Sequence, residues 1–248
     1  MRSAENLAQS GRISPHVGPL HYRGQVNFSG SIALGVRELP RPRLRGVLHK
    51  YAFAVAVATG TILIALAETD RARIAASIYA GSMAGLFGIS ALYHRVTWRP
   101  QLRALMKRLD NSMIFVFIAG TYTPFALLAL HGAVAIGVLT GVWAGAVVGV
   151  GTRLLWRRAP RFAIVPLYVG LGWVAAFIVP QLLGAGIAPF VLLCVGGVAY
   201  TIGGVMYALR RPDPAPRVFG YHELFHLMTI VGATCHYIAV SFAVYQVS

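Results

Sequence analysis

Tyr221-His222-Glu223-Leu224-Phe225-His226 opens an apolar run that continues to residue 246 of a 248-residue chain. A run of that length matches the ~20 residues an α-helix needs to cross ~30 Å of hydrocarbon. In a helix, His222 and His226 share one face, with Cβ atoms about 5–6 Å apart, so both imidazoles can converge on one ion. A zinc ion wants about three or four ligands at roughly 2.0–2.1 Å, so two histidines alone are not a site. The same pair also suits a membrane interface, where amphipathic side chains bury their bodies and keep wet tips. What else in the chain reaches this depth separates the two readings.

Working outward, six more apolar segments precede this one, at residues 50–68, 74–94, 111–130, 133–152, 163–182 and 187–208, with the last at 222–246. Composition agrees: 57% of residues are hydrophobic and 12% charged, against about 25% charged in soluble proteins. The sequence therefore predicts an all-α membrane protein, a seven-transmembrane helix bundle with residues 49–248 in the membrane domain. Residues 1–48, rich in Arg, Gly, Pro and Ser, read as a basic, largely flexible cytosolic tail without a signal-peptide core. Its run Arg37 to Lys50 is expected either to lie against the membrane surface or to serve only as a basic retention signal for topology. Short connections such as Leu130-His131-Gly132 make consecutive helices antiparallel neighbours. Cys194 and Cys235 both fall within apolar segments, which leaves no disulfide framework.

The formal charge of +15 would suit a nucleic-acid binder if the charges were clustered. They fall between apolar segments instead, so lipid headgroups are the implied partner and nucleic acid is not. Lys and Arg in short loops stay on the cytosolic side. Eight lie before or at the first segment, five in the second connection, four in the fourth and three in the sixth, with only Arg71 and Arg73 on the other side. This places the N-terminus inside and the C-terminus outside, in the plasma membrane.

That topology sorts the remaining polar residues by leaflet. Ser90 and His94 are four apart at the cytosolic end of the second segment, Asp110 begins the third from the same face, and His222 and His226 begin the seventh. Each has an ordinary reading: a serine bonded to its own i−4 carbonyl, an aspartate as helix N-cap, a histidine at the interface. Together they are unusual, because ionisable groups at membrane depth mostly mark function. Zinc-dependent hydrolysis is the chemistry that needs this set. His94, His222 and His226 supply three neutral ligands with one position open, Asp110 takes or orients a proton, and Ser90 donates a hydrogen bond. His222-Glu223-x-x-His226 also matches the zincin pattern, yet His236, about 15 Å further along a straight helix, cannot share the ion. His236 is expected to face a polar cavity deeper in the bundle. Glycines spaced by four, Gly81 with Gly85 and Gly141, Gly145 and Gly149, are expected at close helix contacts, Pro124 at a kink, and Trp98 and Trp156 at the interface.

Five ordered stretches carry a family resemblance: Pro42-Arg43-Leu44-Arg45-Gly46-Val47-Leu48-His49, Ser90-x-x-x-His94, Leu109-Asp110-Asn111-Ser112-Met113-Ile114, Gly120-Thr121-Tyr122-Thr123-Pro124 and Gly220-Tyr221-His222-Glu223-Leu224-Phe225-His226. Over about residues 40–246 the chain resembles the bacterial hemolysin III family, which belongs with the progestin and adipoQ receptors and, more distantly, the alkaline ceramidases. The resemblance implies a zinc held near the cytosolic face by His94, His222 and His226, with a water near Asp110 and Ser90; His49 matches a family histidine of unassigned role. Three activities are open at this stage: a ceramidase-like hydrolase of lipid amides or esters, a cytolytic pore-former as the family name implies, and a non-catalytic lipid sensor with a structural zinc.

Overall fold

In a computed structural model of the chain, residues 42–156, 159–184 and 186–246 are described, and the expected tail lies almost wholly outside them. Seven spans are long and apolar enough to cross a membrane: α1 (Val47–Ala65), α2 (Asp70–Arg95), α3 (Pro100–Ala129), α4 (Gly132–Leu155), α5 (Arg161–Leu183), α6 (Ile187–Leu209) and α7 (Tyr221–Tyr245). In hydrocarbon every backbone N–H and C=O must be satisfied within the segment or by neighbours, which a helix does by itself. Large apolar side chains such as Val147, Phe162 and Phe177 stay exposed on the outer faces, where lipid is the solvent. The protein is an integral seven-helix bundle.

α1 to α4 pack in chain order, α6 pairs with α7, and α7 also packs on α1, α2 and α3, closing the bundle. α3 is the most enclosed span. Small residues set several of the close approaches. A Cβ on Gly149 of α4 would overlap the Phe115 ring of α3, one on Gly145 would meet Leu171, and one on Gly85 would meet Met113. Gly81 and Gly141 face open space instead, so the spacing by four marks contacts at three of the five expected positions.

Two spans depart from regular α-helix. Pro124 lacks the N–H of a regular turn, and after it α3 widens into a π-helical turn at Phe125–Ala129, closed by Leu130 N–H on the Phe125 carbonyl at 2.9 Å. Thr121 and Thr123 hydroxyls donate to the Phe117 and Ala119 carbonyls nearby. α5 contains Pro166 and turns 3₁₀ at Trp173–Ile178. There Tyr122 of α3 supplies the missing partners, donating to the Gly172 carbonyl at 2.6 Å and accepting from Ala175 N–H at 2.7 Å.

The third helix corrects one expectation. It starts at Pro100, with Arg99 as its N-cap, not at Asp110. Arg103, Lys107 and Arg108 therefore ride on its first turns instead of forming a loop, and Asp110 sits in the third turn, half-buried. A proline at the first helical position is pre-set for that start.

Gly149→Val places two methyl groups in the space filled by Phe115. Overpacking of this kind costs about 1–3 kcal/mol, so a lowered thermal midpoint of detergent-solubilised protein is expected, while Gly141→Ala, which meets nothing, leaves it unchanged.

Candidate metal centre

The end of the bundle that carries the basic connections is built around one ion pair. Before α1, the backbone of Pro42–Gly46 lies against the loop preceding α7: Arg43 N–H donates to the Arg217 carbonyl at 3.0 Å and Leu44 N–H to Val218 at 3.2 Å. Arg45 then reaches Glu223, whose side chain is 1% exposed, with Arg45 at 22%. The other Glu223 oxygen accepts Gly220 N–H at 2.9 Å, capping the first turn of α7. Asp213 Oδ1 accepts Tyr221 N–H at 2.9 Å. Glu223 is thus fully engaged in holding helix ends, which removes it as the general base of a zincin.

Gly46 follows with φ 76°, a left-handed conformation that glycine adopts without strain. Any Cβ there would press into the His94 side chain. Three residues on, His49 is buried and its ring stacks on His226, centroids 3.7 Å apart and planes within 7°. Stacked rings keep their in-plane lone pairs in two separate parallel planes, so this geometry does not bring both imidazoles onto one ion. Both His49 nitrogens are buried without a hydrogen-bond partner among the described residues.

His94, His222 and His226 do converge. One ligand nitrogen from each lies within 4.8 Å of the others. The Nε2 atoms of His94 and His222 are 3.1 Å apart, against about 3.3 Å for two nitrogens bound tetrahedrally at ~2.0 Å. Three imidazoles, with a carboxylate in reach, are a donor set that fits a divalent ion. Asp110 Oδ2 stands 3.8 Å from His94 Nε2. Ser90, one turn deeper on α2, is 1% exposed, and its hydroxyl lies beside the Asp110 carboxyl with no partner at hydrogen-bond distance. His49, Ser90, Asp110, His222 and His226 all line one cavity of about 30 Å³, room for a water. With His94 beside Asp110 and the other two histidines, the five residues expected here, Ser90, His94, Asp110, His222 and His226, are gathered at one end of the bundle.

Tyr207 of α6 completes the wall, and Arg161 of α5 packs behind it. The Tyr207 ring is 5.6 Å from that of His222. Arg161 lies over it at 4.4 Å, and donates to the Tyr207 carbonyl and the Tyr221 hydroxyl. Arg45, Tyr207 and Arg161 were not legible as site residues, because each acts through a contact outside its own stretch of sequence. His49 had only its place in the first family motif as a signal.

Fold and site define a multi-pass membrane protein whose histidine cluster can hold a metal at one end of the bundle. Comparison with known proteins gives the family: a profile described as Haemolysin-III related matches residues 37–237, and the chain belongs to that family. It is 30% identical to Hemolysin-3 of Bacillus cereus over 71% of this chain and 78% of that protein. It is 30% identical to the Hemolysin-3 homolog of Bacillus subtilis over 67% and 75%, and 25% identical to the human Monocyte to macrophage differentiation factor over 77% and 79%. Its place is the bacterial cell membrane.

Removing one partner of a buried ion pair costs about 3–5 kcal/mol, whereas replacing both by apolar groups is often near neutral. Arg45→Leu is therefore expected to lower the thermal midpoint sharply. Arg45→Leu with Glu223→Leu should recover all but the ~1 kcal/mol of the lost Gly220 cap, as read by thermal unfolding of both variants.

Proposed function

We propose that the protein is a zinc-dependent membrane hydrolase acting on the amide or ester bond of a lipid. The observation that carries this reading is that the histidine cavity shares its walls with a much larger apolar chamber. Leu86, Ile114, Val165, Tyr168, Phe225 and Thr229 line both. The chamber, about 190 Å³, runs between α3, α5, α6 and α7 into the membrane. A polar head at the histidines with an alkyl tail in the chamber is the shape these two spaces accept together.

His94, His222 and His226 would hold the zinc. When bound, zinc polarises a carbonyl and makes hydroxide available near neutral pH. Asp110, half-buried beside His94, is placed to accept the proton of the attacking water and return it to the leaving amine or alcohol. Ser90, whose hydroxyl lies beside the Asp110 carboxyl, is placed to donate a hydrogen bond to the substrate carbonyl oxygen. His49 keeps the His226 ring from turning by stacking on it, and the Arg45–Glu223 pair fixes the first turn of α7 from which both ligands project. With the basic connections cytosolic, the substrate reaches the site from the inner leaflet.

A second reading, a lipid sensor in which the metal only staples α2 to α7, draws support from the ligands coming from those two helices alone. Turnover of ceramides and phospholipids by the zinc-loaded protein in nanodiscs decides between them. Hydrolysis is expected to vanish with a chelator and with His226→Ala. Asp110→Asn should retain zinc by elemental analysis while losing on the order of 10²–10⁴-fold in rate. Turnover indifferent to all three treatments would sink the hydrolase. A large fall in thermal midpoint on chelation, with no lipid turned over, would favour the sensor, and lysis of erythrocytes without turnover would favour the lytic activity that the Bacillus relatives' names describe.

A further inference from the structure

Buried polar side-chain atoms without a hydrogen-bond partner among the described residues fall in two places. Deep in the bundle are the Tyr79 and Tyr200 hydroxyls and Nδ1 of His236. His236 Nε2 is 3.1 Å from the Leu193 carbonyl oxygen of α6, and its ring meets Tyr200 edge-on with centroids 5.1 Å apart. Both helices give up side-chain volume to seat this pair. A Cβ on Gly196 of α6 would overlap the His236 imidazole, and one on Gly232 of α7 would overlap the Tyr200 ring. The two rings line the apolar chamber, contrary to the polar cavity expected for His236, and their polar atoms are enclosed away from it. At the basic end are atoms of His49, Ser90 and Ser112 and of one cation, Arg153.

Arg153 stands in the last turn of α4, three residues before the exposed Trp156, and so at the level of the headgroups. A cation there ordinarily serves the helix's own last carbonyls, or topology alone. Neither accounts for Arg153: its Nε is buried, and no hydrogen bond or ion pair joins its guanidinium to a described residue. Arg45 and Arg161, by contrast, are engaged, one by Glu223 and the other by Tyr207 and Tyr221. Gly149, one turn earlier on α4, packs on Phe115, so Arg153 comes level with Asn111, one turn nearer the rim on antiparallel α3. The Phe115 ring lies 4.6 Å from that of Tyr168, whose hydroxyl donates to the Asn111 carbonyl at 3.4 Å. Asp110, Asn111, Tyr168 and Tyr207 all line the histidine cavity, and the charge of Arg153 bears on Asp110, Tyr168 and Tyr207. A partly buried cation with no anion in contact thus stands beside the cavity, and burying a charge is tolerable only with a partner.

We propose that Arg153 holds the phosphate of a lipid headgroup, so that the lipid whose head enters the histidine cavity is a phospholipid. A guanidinium presents a planar fork that meets two phosphate oxygens at once. In a phospholipid only a few bonds of the glycerol backbone separate the phosphate from the acyl ester, which suits an ester at Asp110 and Ser90 with its phosphate at Arg153. A ceramide carries no anion and would leave the guanidinium as unpaired as before. This inference rests on the reading that a lipid head occupies the cavity.

The test compares hexadecyl glyceryl ether with its phosphate, two lipids that differ only in the phosphate and carry no ester to cleave. Binding to the zinc-loaded full-length protein is measured in dodecyl maltoside, a detergent without phosphate, by titration calorimetry against empty micelles. The phosphate is expected to tighten binding at least about tenfold. In Arg153→Gln the two lipids should bind alike. Arg153→Lys, which keeps the charge and loses the fork, should lose most of the gain, and Lys107→Gln, on the exposed face of α3, should keep it. Since no described residue pairs with Arg153, the thermal midpoint of Arg153→Gln should match that of the unsubstituted protein, which shows that it folds; Arg153→Lys carries the test if it does not. Equal affinity for the two lipids, a preference that survives Arg153→Gln, a full gain in Arg153→Lys, or inorganic phosphate binding as tightly as the lipid phosphate would overturn the proposal while leaving the cavity a lipid-head site. If neither lipid binds, the cavity reading fails and takes this proposal with it.

Discussion

The contact on which the rest depends is the pairing of Arg45 with Glu223, sealed at the rim of the bundle. A carboxylate 1% exposed is tolerable only with a cation and hydrogen bonds to compensate the lost hydration. Here Arg45 and the Gly220 N–H supply them. The consequence is geometric. Chain positions 178 residues apart are locked together, so that the approach to α1 and the start of α7 become one surface. Gly46 is thereby pressed onto His94, and His49 is laid flat on His226. Two of the six helices that line the histidine cavity, α1 and α7, are tied together outside it by this ion pair and the backbone bonds of Arg43 and Leu44.

Below that rim the bundle obeys a different economy. Where lipid replaces water, association relies on close packing and on satisfying every backbone group, since apolar burial no longer drives helices together. Gly85, Gly145 and Gly149 allow close approach, and the Tyr122 hydroxyl repairs the break in α5. This helix also lines the chamber, from Val165 to Leu182. A wall held by side-chain bonds in place of a continuous helical ladder can shift locally without unwinding the span.

How much of this the sequence could show depended on the range of the interactions. Seven spans were readable because bilayer thickness imposes a length on each. Ser90, His94, Asp110, His222 and His226 were readable because polarity in apolar runs is conspicuous and topology sorted them to one end. The start of α3 was missed for the converse reason. Its first turns are basic, and a hydropathy reading sees only the apolar part of a helix that protrudes beyond the hydrocarbon; Pro100 was the available signal. Gly81 and Gly141 share the spacing of the packing glycines but face open space, since spacing reports a face and not what lies opposite it. Arg45 was invisible as a partner of Glu223, because no local pattern links residues so far apart in the chain. The zincin-like string illustrates the same point: its glutamate is claimed by a residue from the other end of the protein.

The reciprocal seating of His236 over Gly196 and of Tyr200 over Gly232 makes four positions behave as a single inherited unit. Enlarging either glycine evicts the ring opposite, while trimming either ring leaves a void that a larger neighbour could then occupy. Substitutions within this quartet should therefore be strongly epistatic, harmful alone and tolerated in matched combinations. A lineage that loses one aromatic partner would be free to lose the other, and with it the reason for both missing β-carbons.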